Sequence, residues 1–114
     1  MSKFDTLKGL RKAAGDRHML DLFEDDPDRA KGFSVEADDL LFDYSKTQID
    51  APALEALTAL CDEAGLAARR DAMFGGAKIN ETEGRAVLHT ALRNLDGEGV
   101  SVDGTDVIPG VRET

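Results

Sequence analysis

The 114-residue sequence has little of several residue types that anchor or cross-link small proteins. It contains one cysteine, no tryptophan, one tyrosine and five phenylalanines. A single cysteine cannot close an internal disulfide, which indicates a reducing, intracellular setting. Because aromatic side chains are so few, Leu, Val, Ile and Ala must fill most of the core. A chain of this length supports at most one domain with a modest core.

Basic residues are also scarce. Fourteen Lys and Arg stand against 23 Asp and Glu, which gives a formal net charge of −9. Ten of the acidic residues lie between Asp16 and Asp43, where only three residues are basic. Nucleic acid and anionic membranes are therefore poor partners, since both bind through Lys and Arg. On its own, a chain with this negative charge would also repel a sugar phosphate, which is itself negatively charged. Solubility is the simplest reason for the acidity.

Targeting and membrane signals are missing as well. The N-terminus has no apolar run of the kind found in signal peptides. No stretch approaches the roughly 20 apolar residues that cross a bilayer. The sequence therefore predicts a cytoplasmic protein.

Apolar residues recur at helical spacing near the start of the chain and predict two helices there. Residues 2–14 form the first, because Ser2 can cap it and Gly15 can end it. Residues 16–24 repeat the pattern and predict the second helix. A short helical turn is expected to open at Asp26-Pro27, with the aspartate as cap and the proline in the first position.

A helix with a continuous apolar stripe is predicted after Asp50, which is a good N-cap, and it ends at Gly65. A shorter helix over residues 66–74 follows. The stripe consists of Leu54, Leu57, Leu60, Cys61 and Ala64. Its position predicts that Cys61 is a small buried side chain rather than a nucleophile.

Residues 82–94 give the clearest helical pattern of the chain. Asn80 can cap this helix, and Glu83 can reach back to the Asn80 amide. Five apolar side chains are then expected to face inward together: Val87, Leu88, Ala91, Leu92 and Leu95.

Two other segments alternate between apolar and polar residues, which is typical of strands. Residues 33–45 predict a hairpin with its turn at Asp38-Asp39, and residues 100–107 predict a smaller one around Asp103-Gly104. Pro109 can begin a further helix. The predicted fold class is α+β, mainly helical with one or two short β-hairpins, and residues 1–114 are expected to form a single domain or fragment.

The titratable residues have simpler structural interpretations than catalysis. His18 lies near Asp21 and is predicted to make a surface or capping contact, and His89 falls inside the predicted helix 82–94. Glu81 and Glu83 suit a helix N-terminus, where the dipole stabilises negative charge. We therefore expect no catalytic or substrate-binding residue in this sequence.

The glycine-rich segments and metal spacings are equally weak. Residues 75–78 (Gly-Gly-Ala-Lys) resemble a phosphate cradle superficially but lack P-loop spacing. Residues 97–99 (Gly-Glu-Gly) lack the strand and acidic partner of a dinucleotide site. One Cys and two distant His give no zinc spacing, so no metal or cofactor is predicted. Lys78 and Arg85 are expected to pair with Glu81 and Glu83 and so fix the loop before the helix.

Several runs resemble one family in its order along the chain. The longest, residues 73–94, resembles a stretch near the N-terminus of glucose-6-phosphate isomerases, also called phosphoglucose isomerases. Asp43-Tyr44-Ser45-Lys46 is similar to a segment of the same family, and so are residues 102–111. Residues 18–29 are also similar to a family segment, in which Leu22-Phe23 and Asp26-Pro27 are followed by Arg29. Ala77 and Gly84 depart from common residues of the family at positions outside its known catalytic groups.

The resemblance implies an enzyme of glycolysis and gluconeogenesis that interconverts glucose 6-phosphate and fructose 6-phosphate through a cis-enediol, without metal or nucleotide. It also implies a cytoplasmic homodimer several times longer than this chain, with two α/β sugar-isomerase domains. In that family a Glu, a His from across the dimer interface and a Ser/Thr-rich loop with a Lys do the chemistry. None of these falls here, so the chain is expected to be an inactive N-terminal scaffold that packs on the missing domains.

A second interpretation stays open. The chain can also be a stand-alone protein-interaction module derived from the isomerase N-terminus. It would then bind a partner through the apolar face that the catalytic domains otherwise cover.

Overall fold

The computed structural model describes residues 2–97 and 99–114. In this part of the chain the fold is mainly helical with two short antiparallel strand pairs, which confirms the predicted α+β class. The helices are α1 (Lys3–Ala14), α2 (Met19–Asp25), α3 (Arg29–Gly32), α4 (Ala51–Glu63), α5 (Leu66–Phe74) and α6 (Ile108–Glu113). The strands are β1 (Ser34–Ala37), β2 (Leu40–Asp43), β3 (Ser101–Val102) and β4 (Thr105–Asp106).

The chain divides into two compact units, Met1–Glu63 and Ala64–Thr114. Each unit has its own elements and its own buried side chains. The prediction of a single domain concerns independent folding, and it stays a prediction.

In the first unit, α1 and α4 pack against each other. Ser2 caps α1 as predicted: its hydroxyl accepts a 3.2 Å hydrogen bond from the Asp5 N–H, and the Asp5 carboxylate accepts one from the Ser2 N–H. Asp50 caps α4, since its Oδ1 accepts a 3.0 Å hydrogen bond from the Ala53 N–H. Both helix starts are therefore fixed by local polar contacts that the sequence indicates.

The predicted hairpin over residues 33–45 is confirmed. Strands β1 and β2 pair antiparallel around the Asp38-Asp39 turn, with Val35 opposite Phe42 and Ala37 opposite Leu40. Asp38 has a positive φ of 51°, a conformation that aspartate tolerates in tight turns.

In the second unit, β3 and β4 form the small predicted hairpin. Asp103 and Gly104 have φ values of 50° and 78°, the two positive angles that a two-residue hairpin turn of this hand requires. The core of this unit centres on Ala91 and Ile108, which are buried. Ile108 begins α6, with Pro109 in its first turn as expected.

The predicted helix over residues 82–94 is wrong. The backbone of Asn80 instead exchanges two hydrogen bonds with that of Arg85, at 3.1 and 3.2 Å, which closes a tight loop. Gly84 makes the loop possible because it adopts a left-handed φ of 63°. Only the short 3₁₀ helix Ala91–Arg93 remains of the helical pattern.

Several burial and boundary predictions are also wrong. Cys61 is exposed rather than buried, and Leu92 and Leu95 are exposed rather than facing inward. The second helix begins at Met19, after His18, rather than at residue 16. Pro27 lies in a turn ahead of α3 and not in its first position. The burial errors share one cause: apolar periodicity cannot show which of several apolar faces the neighbouring elements cover.

Candidate functional site

The most completely buried charged group in the described part of the chain is Arg29, which is 2% exposed. Its Nε donates a 2.9 Å hydrogen bond to the carbonyl oxygen of Ser45. One terminal nitrogen donates to the carbonyls of Thr47 and Ile49, at 3.0 and 2.7 Å. The guanidinium thus fixes the loop that leads from β2 into α4.

Aromatic rings complete the surroundings of Arg29. Its guanidinium carbon lies 4.3 Å from the centre of the Phe33 ring and 5.6 Å from that of Phe23. Tyr44 meets Phe33 edge-on, with ring centres 5.6 Å apart. The negative ring faces partly replace the water that the cation loses on burial. An arginine held by carbonyls and rings is a structural clamp, since its Nε and one terminal nitrogen already donate to three carbonyls of the same loop.

A second clamp joins the segment between α1 and α2 to the start of α4. Arg17 donates a 2.7 Å hydrogen bond to the Asp50 carboxylate and another of 2.7 Å to the Gln48 carbonyl. The Gln48 side chain returns a hydrogen bond to the Arg17 carbonyl. The Arg17 hydrogen bond is the main cause that lowers the pKa of Asp50, with the Ala53 N–H contributing further. This site therefore stabilises a carboxylate and does not prepare a proton acceptor.

Beside this clamp lies an open, mostly apolar cleft of about 290 Å³ between α1 and α4. Its lining includes Leu7, Leu10 and Leu57. The second unit has a cleft of about 450 Å³ lined by residues such as Phe74, Thr90 and Asn94, with no charged side chain among its described lining residues. A sugar phosphate needs cationic or multiple N–H donors. The first cleft has two arginines in its lining, Arg11 and Arg17, and Arg17 already donates to Asp50 and Gln48.

The segment with a superficial likeness to a phosphate cradle is a packing turn. Gly76 is buried with a φ of 85°, and a Cβ at this position would lie 2.4 Å from the Ser101 carbonyl oxygen. Lys78 pairs with Asp103 at 3.0 Å. The glycine thus lets two backbones approach closely, and the lysine serves an ion pair across that contact.

The expected ion pairs around this loop do not form. Glu81 pairs with Arg69 at 2.9 Å, and Lys78 pairs with Asp103 instead. Within residues 2–97 and 99–114, Arg85 forms no ion pair with Glu81 or Glu83. Sequence proximity suggested these pairs, whereas the loop closure at Asn80 sends the side chains to partners that are remote in the sequence.

The two histidines lie in different units. His18 caps α2 as predicted, since its Nδ1 accepts a 3.4 Å hydrogen bond from the Leu20 N–H. His89 lies in an exposed turn rather than a helix, and its carbonyl accepts a hydrogen bond from Arg93. Neither arrangement places a base next to an activated nucleophile.

The perturbed carboxyl groups all shift in one direction. Hydrogen bonds lower the pKa of Asp5, Asp43 and Asp50, from Ser2, Ser45 and Arg17 respectively. A general base for proton transfer needs a pKa nearer to neutrality, so lowered values indicate structural roles. The described residues hold no group of three His, Cys, Asp or Glu side chains arranged for a metal ion. The expectation that the chain has no catalytic residue stays a prediction.

Sequence reasoning missed the clamps formed by Arg29 and Arg17. The available signal for Arg29 was its place in the run of residues 18–29 that resembles a family segment. No local pattern reveals that its acceptors lie 16 to 20 residues later. Across the ranges that the structure covers, no helix has the length and apolar character needed to span a bilayer.

Comparison with known proteins gives one consistent result. The family model described as phosphoglucose isomerase matches residues 43–114. The glucose-6-phosphate isomerase of Roseobacter denitrificans is 56% identical over 114 residues, which is 100% of this chain and 21% of the relative. The glucose-6-phosphate isomerase of Ruegeria pomeroyi is 56% identical over 97% of this chain and 21% of its own length. That of Methylococcus capsulatus is 51% identical over 93% of this chain and 19% of its own length. The chain spans about a fifth of the length of the curated relatives it matches.

Proposed function

Because this chain belongs to the phosphoglucose isomerase family, we propose that it is the N-terminal part of a glucose-6-phosphate isomerase. The observation that carries the proposal is 56% identity over 114 residues to a protein of that name. The chain covers 21% of that relative's length, which supports its assignment to one part of such a protein. The resemblance of residues 73–94 to an N-terminal stretch of the family supports the position.

The whole protein, on this proposal, interconverts glucose 6-phosphate and fructose 6-phosphate by proton transfer through a cis-enediol. It works in the cytoplasm, in glycolysis and gluconeogenesis, as a homodimer. Such chemistry needs a carboxylate base over the two carbons, an acid–base group for ring opening and donors for the phosphate. These groups belong to later parts of the polypeptide.

The proposed role of residues 1–114 is scaffold. Support comes from the use of its less exposed arginines: Arg29 and Arg17 hold backbone carbonyls and the Asp50 carboxylate. Cations committed in this way are poor candidates for a substrate phosphate. The chain alone is therefore expected to be inactive.

The experiment that tests this proposal uses the longer gene product that contains this chain. Purified product is assayed for conversion of fructose 6-phosphate to glucose 6-phosphate, with glucose 6-phosphate dehydrogenase reporting the product. Turnover is expected, and it should persist after treatment with a metal chelator. A longer product that folds but shows no hexose phosphate isomerisation contradicts the proposal.

A stand-alone interaction module is the second candidate. The observation in its favour is the exposure of several large apolar side chains, among them Leu40 and Phe42. The reading frame separates the two candidates. Several hundred further codons after Thr114 support the isomerase, whereas a stop codon directly after Thr114 supports the module.

A further inference from the structure

The hairpin formed by β1 and β2 carries an apolar face that the first unit leaves uncovered. Alternate residues of a strand share one face, and directly opposed residues share it across the pair. Val35 lies opposite Phe42, and Ala37 lies opposite Leu40. These four side chains therefore form one surface, called here the hairpin face.

The hairpin face continues a buried surface at its base. Tyr44 donates a 3.0 Å backbone hydrogen bond to the Phe33 carbonyl, which extends the pairing by one further residue pair. Phe33 is buried against the Arg29 guanidinium, and Tyr44 is half-buried. The Phe42 ring then lies 5.6 Å from the Tyr44 ring. An ordered aromatic row thus leads from the core of the unit onto the exposed part of the hairpin.

Exposure is high where the row leaves the core. Val35 is 55% exposed, Phe42 66% and Leu40 77%. A two-stranded hairpin is marginally stable in water unless its apolar face is packed on something. Contiguous exposed apolar surface on an otherwise strongly charged chain commonly marks an interface. The alternation that predicts this hairpin from sequence also implies a covered face.

The charged residues near the hairpin face indicate what kind of surface binds there. Two carboxylates, Asp38 and Asp39, border the hairpin face at the turn, whereas Glu36 and Asp43 lie on the opposite face of the strands. A second copy docked through the same face would bring its own turn carboxylates to this surface, on a chain that carries a net charge of −9 overall, which opposes close association. The complementary surface therefore has an apolar centre and a basic rim.

The length of the relatives also indicates what covers the hairpin face. The relatives are about five times as long as this chain, which covers 19 to 21% of them. The remaining polypeptide is the partner that is always present at high effective concentration. We propose that the hairpin face docks on a basic-rimmed apolar surface of the later part of the same polypeptide. This inference rests on the proposed function, because it requires that later part to exist.

The first experiment needs no substitution. Hydrogen exchange of the amides in residues 34–43 is compared between the 114-residue chain and the longer product, with equal exchange of the α1 and α4 amides as the control that the short chain is folded. Docking should slow exchange roughly tenfold or more in the longer product. Equal exchange in the two proteins overturns the inference.

Cross-linking then identifies the occupant. A carbodiimide joins carboxylates to neighbouring lysines, so Asp38 and Asp39 of the longer product should link to lysines beyond residue 114. A mixture of isotope-labelled and unlabelled product separates links within one polypeptide from links between copies. Links within one polypeptide support the inference, and links between copies, or none from the hairpin, overturn it.

Substitution provides an independent check. The double variant Leu40→Ser, Phe42→Ser should abolish the slowed exchange and lower the melting temperature of the longer product. The matched control Leu20→Ser, Leu66→Ser changes two leucines of comparable exposure outside the hairpin, and it should retain the slowed exchange. A hairpin variant that keeps both properties contradicts the docking.

The outcomes separate this inference from the proposed function. Isomerase activity with fast exchange at residues 34–43 retains the function and removes the docking. Slowed exchange without isomerase activity removes the function and retains the docking, because the later part of the polypeptide is then present and covers the hairpin face.

Discussion

The Nε atom of Arg29 donates a 2.9 Å hydrogen bond to the carbonyl oxygen of Ser45, 16 residues later in the chain. Both residues belong to runs that resemble segments of one enzyme family, and both are nearly inaccessible to water. The contact joins a four-residue helix to the loop before α4. Since the cation has three carbonyl acceptors and two aromatic rings beside it, it fixes the loop before α4 from inside the first unit.

Replacing Arg29 by lysine should destabilise the protein strongly. An ammonium group keeps the charge but cannot reach the three carbonyls in the same geometry, so buried acceptors lose their partners. The expected loss is about 3 kcal/mol in the free energy of unfolding, measured by urea denaturation. The control Arg70→Lys changes an exposed arginine paired with Asp71 and should stay within about 0.5 kcal/mol of the wild type. Equal effects of the two substitutions would show that the clamp contributes nothing.

The Asp50 carboxylate should make stability depend on acid pH. Its pKa is lowered in the folded state, mainly by Arg17, so the folded protein binds this proton less tightly than the unfolded chain does. The contribution is complete above the ordinary value of 3.8 and is lost as pH falls through the lower folded-state pKa. Asp50→Asn should therefore cost roughly 0.5–1 kcal/mol at pH 7 and flatten the stability profile below about pH 4.

Asp62→Asn is the matched control for this prediction, because Asp62 lies exposed on the same helix. Chemical denaturation across the acid range, done for both variants, measures the difference. An unchanged profile in Asp50→Asn is incompatible with the ion pair to Arg17.

Gly76 should not tolerate a side chain. A Cβ there would meet the Ser101 carbonyl oxygen at 2.4 Å, and the φ of 85° is unfavourable for other residues. Gly76→Ala should lower the unfolding free energy by on the order of 3 kcal/mol. Gly84 shares the left-handed conformation but has open space around it, so Gly84→Ala should cost about 1 kcal/mol. Thermal melting of the two variants distinguishes steric from purely conformational cost, and a reversed order contradicts the packing described.

The ion pair of Lys78 with Asp103 should contribute little. The two side chains are 49% and 71% exposed, so water and salt screen the attraction. Lys78→Ala should reduce stability by less than about 1 kcal/mol, and the difference should shrink in high salt. Arg85→Ala serves as the comparison and should be near neutral, since Arg85 lacks the pairs once expected with Glu81 and Glu83. A loss of several kcal/mol in either variant would reveal a role that the geometry does not account for.

Local signals in the sequence were sufficient for much of the fold. Ser2 and Asp50 cap helices, and Asp103-Gly104 closes a hairpin, because each of these contacts forms within three residues. The strand alternation around Asp38-Asp39 likewise gives the correct register of one hairpin. Such features depend on backbone chemistry that the sequence states directly.

Other features depend on partners remote in the chain, and these were missed. Residues 82–94 have helical periodicity, but Gly84 in a left-handed conformation permits the loop between Asn80 and Arg85. The partners of Arg29 and Lys78 lie 16 to 25 residues away. The predicted burial of Cys61 is also wrong, because apolar spacing does not identify which helix face is covered. The absence of site residues was predicted from the missing chemistry, and only activity measurements can test it.

The most direct test of the scaffold role compares two polypeptides in one assay: the 114-residue chain, and the longer gene product that includes it. Each is incubated with fructose 6-phosphate at equal molar concentration, and glucose 6-phosphate formation is followed. The account predicts steady turnover by the longer product and none above the buffer rate by the short chain. Turnover by the 114 residues alone, abolished by a substitution within them, would contradict it.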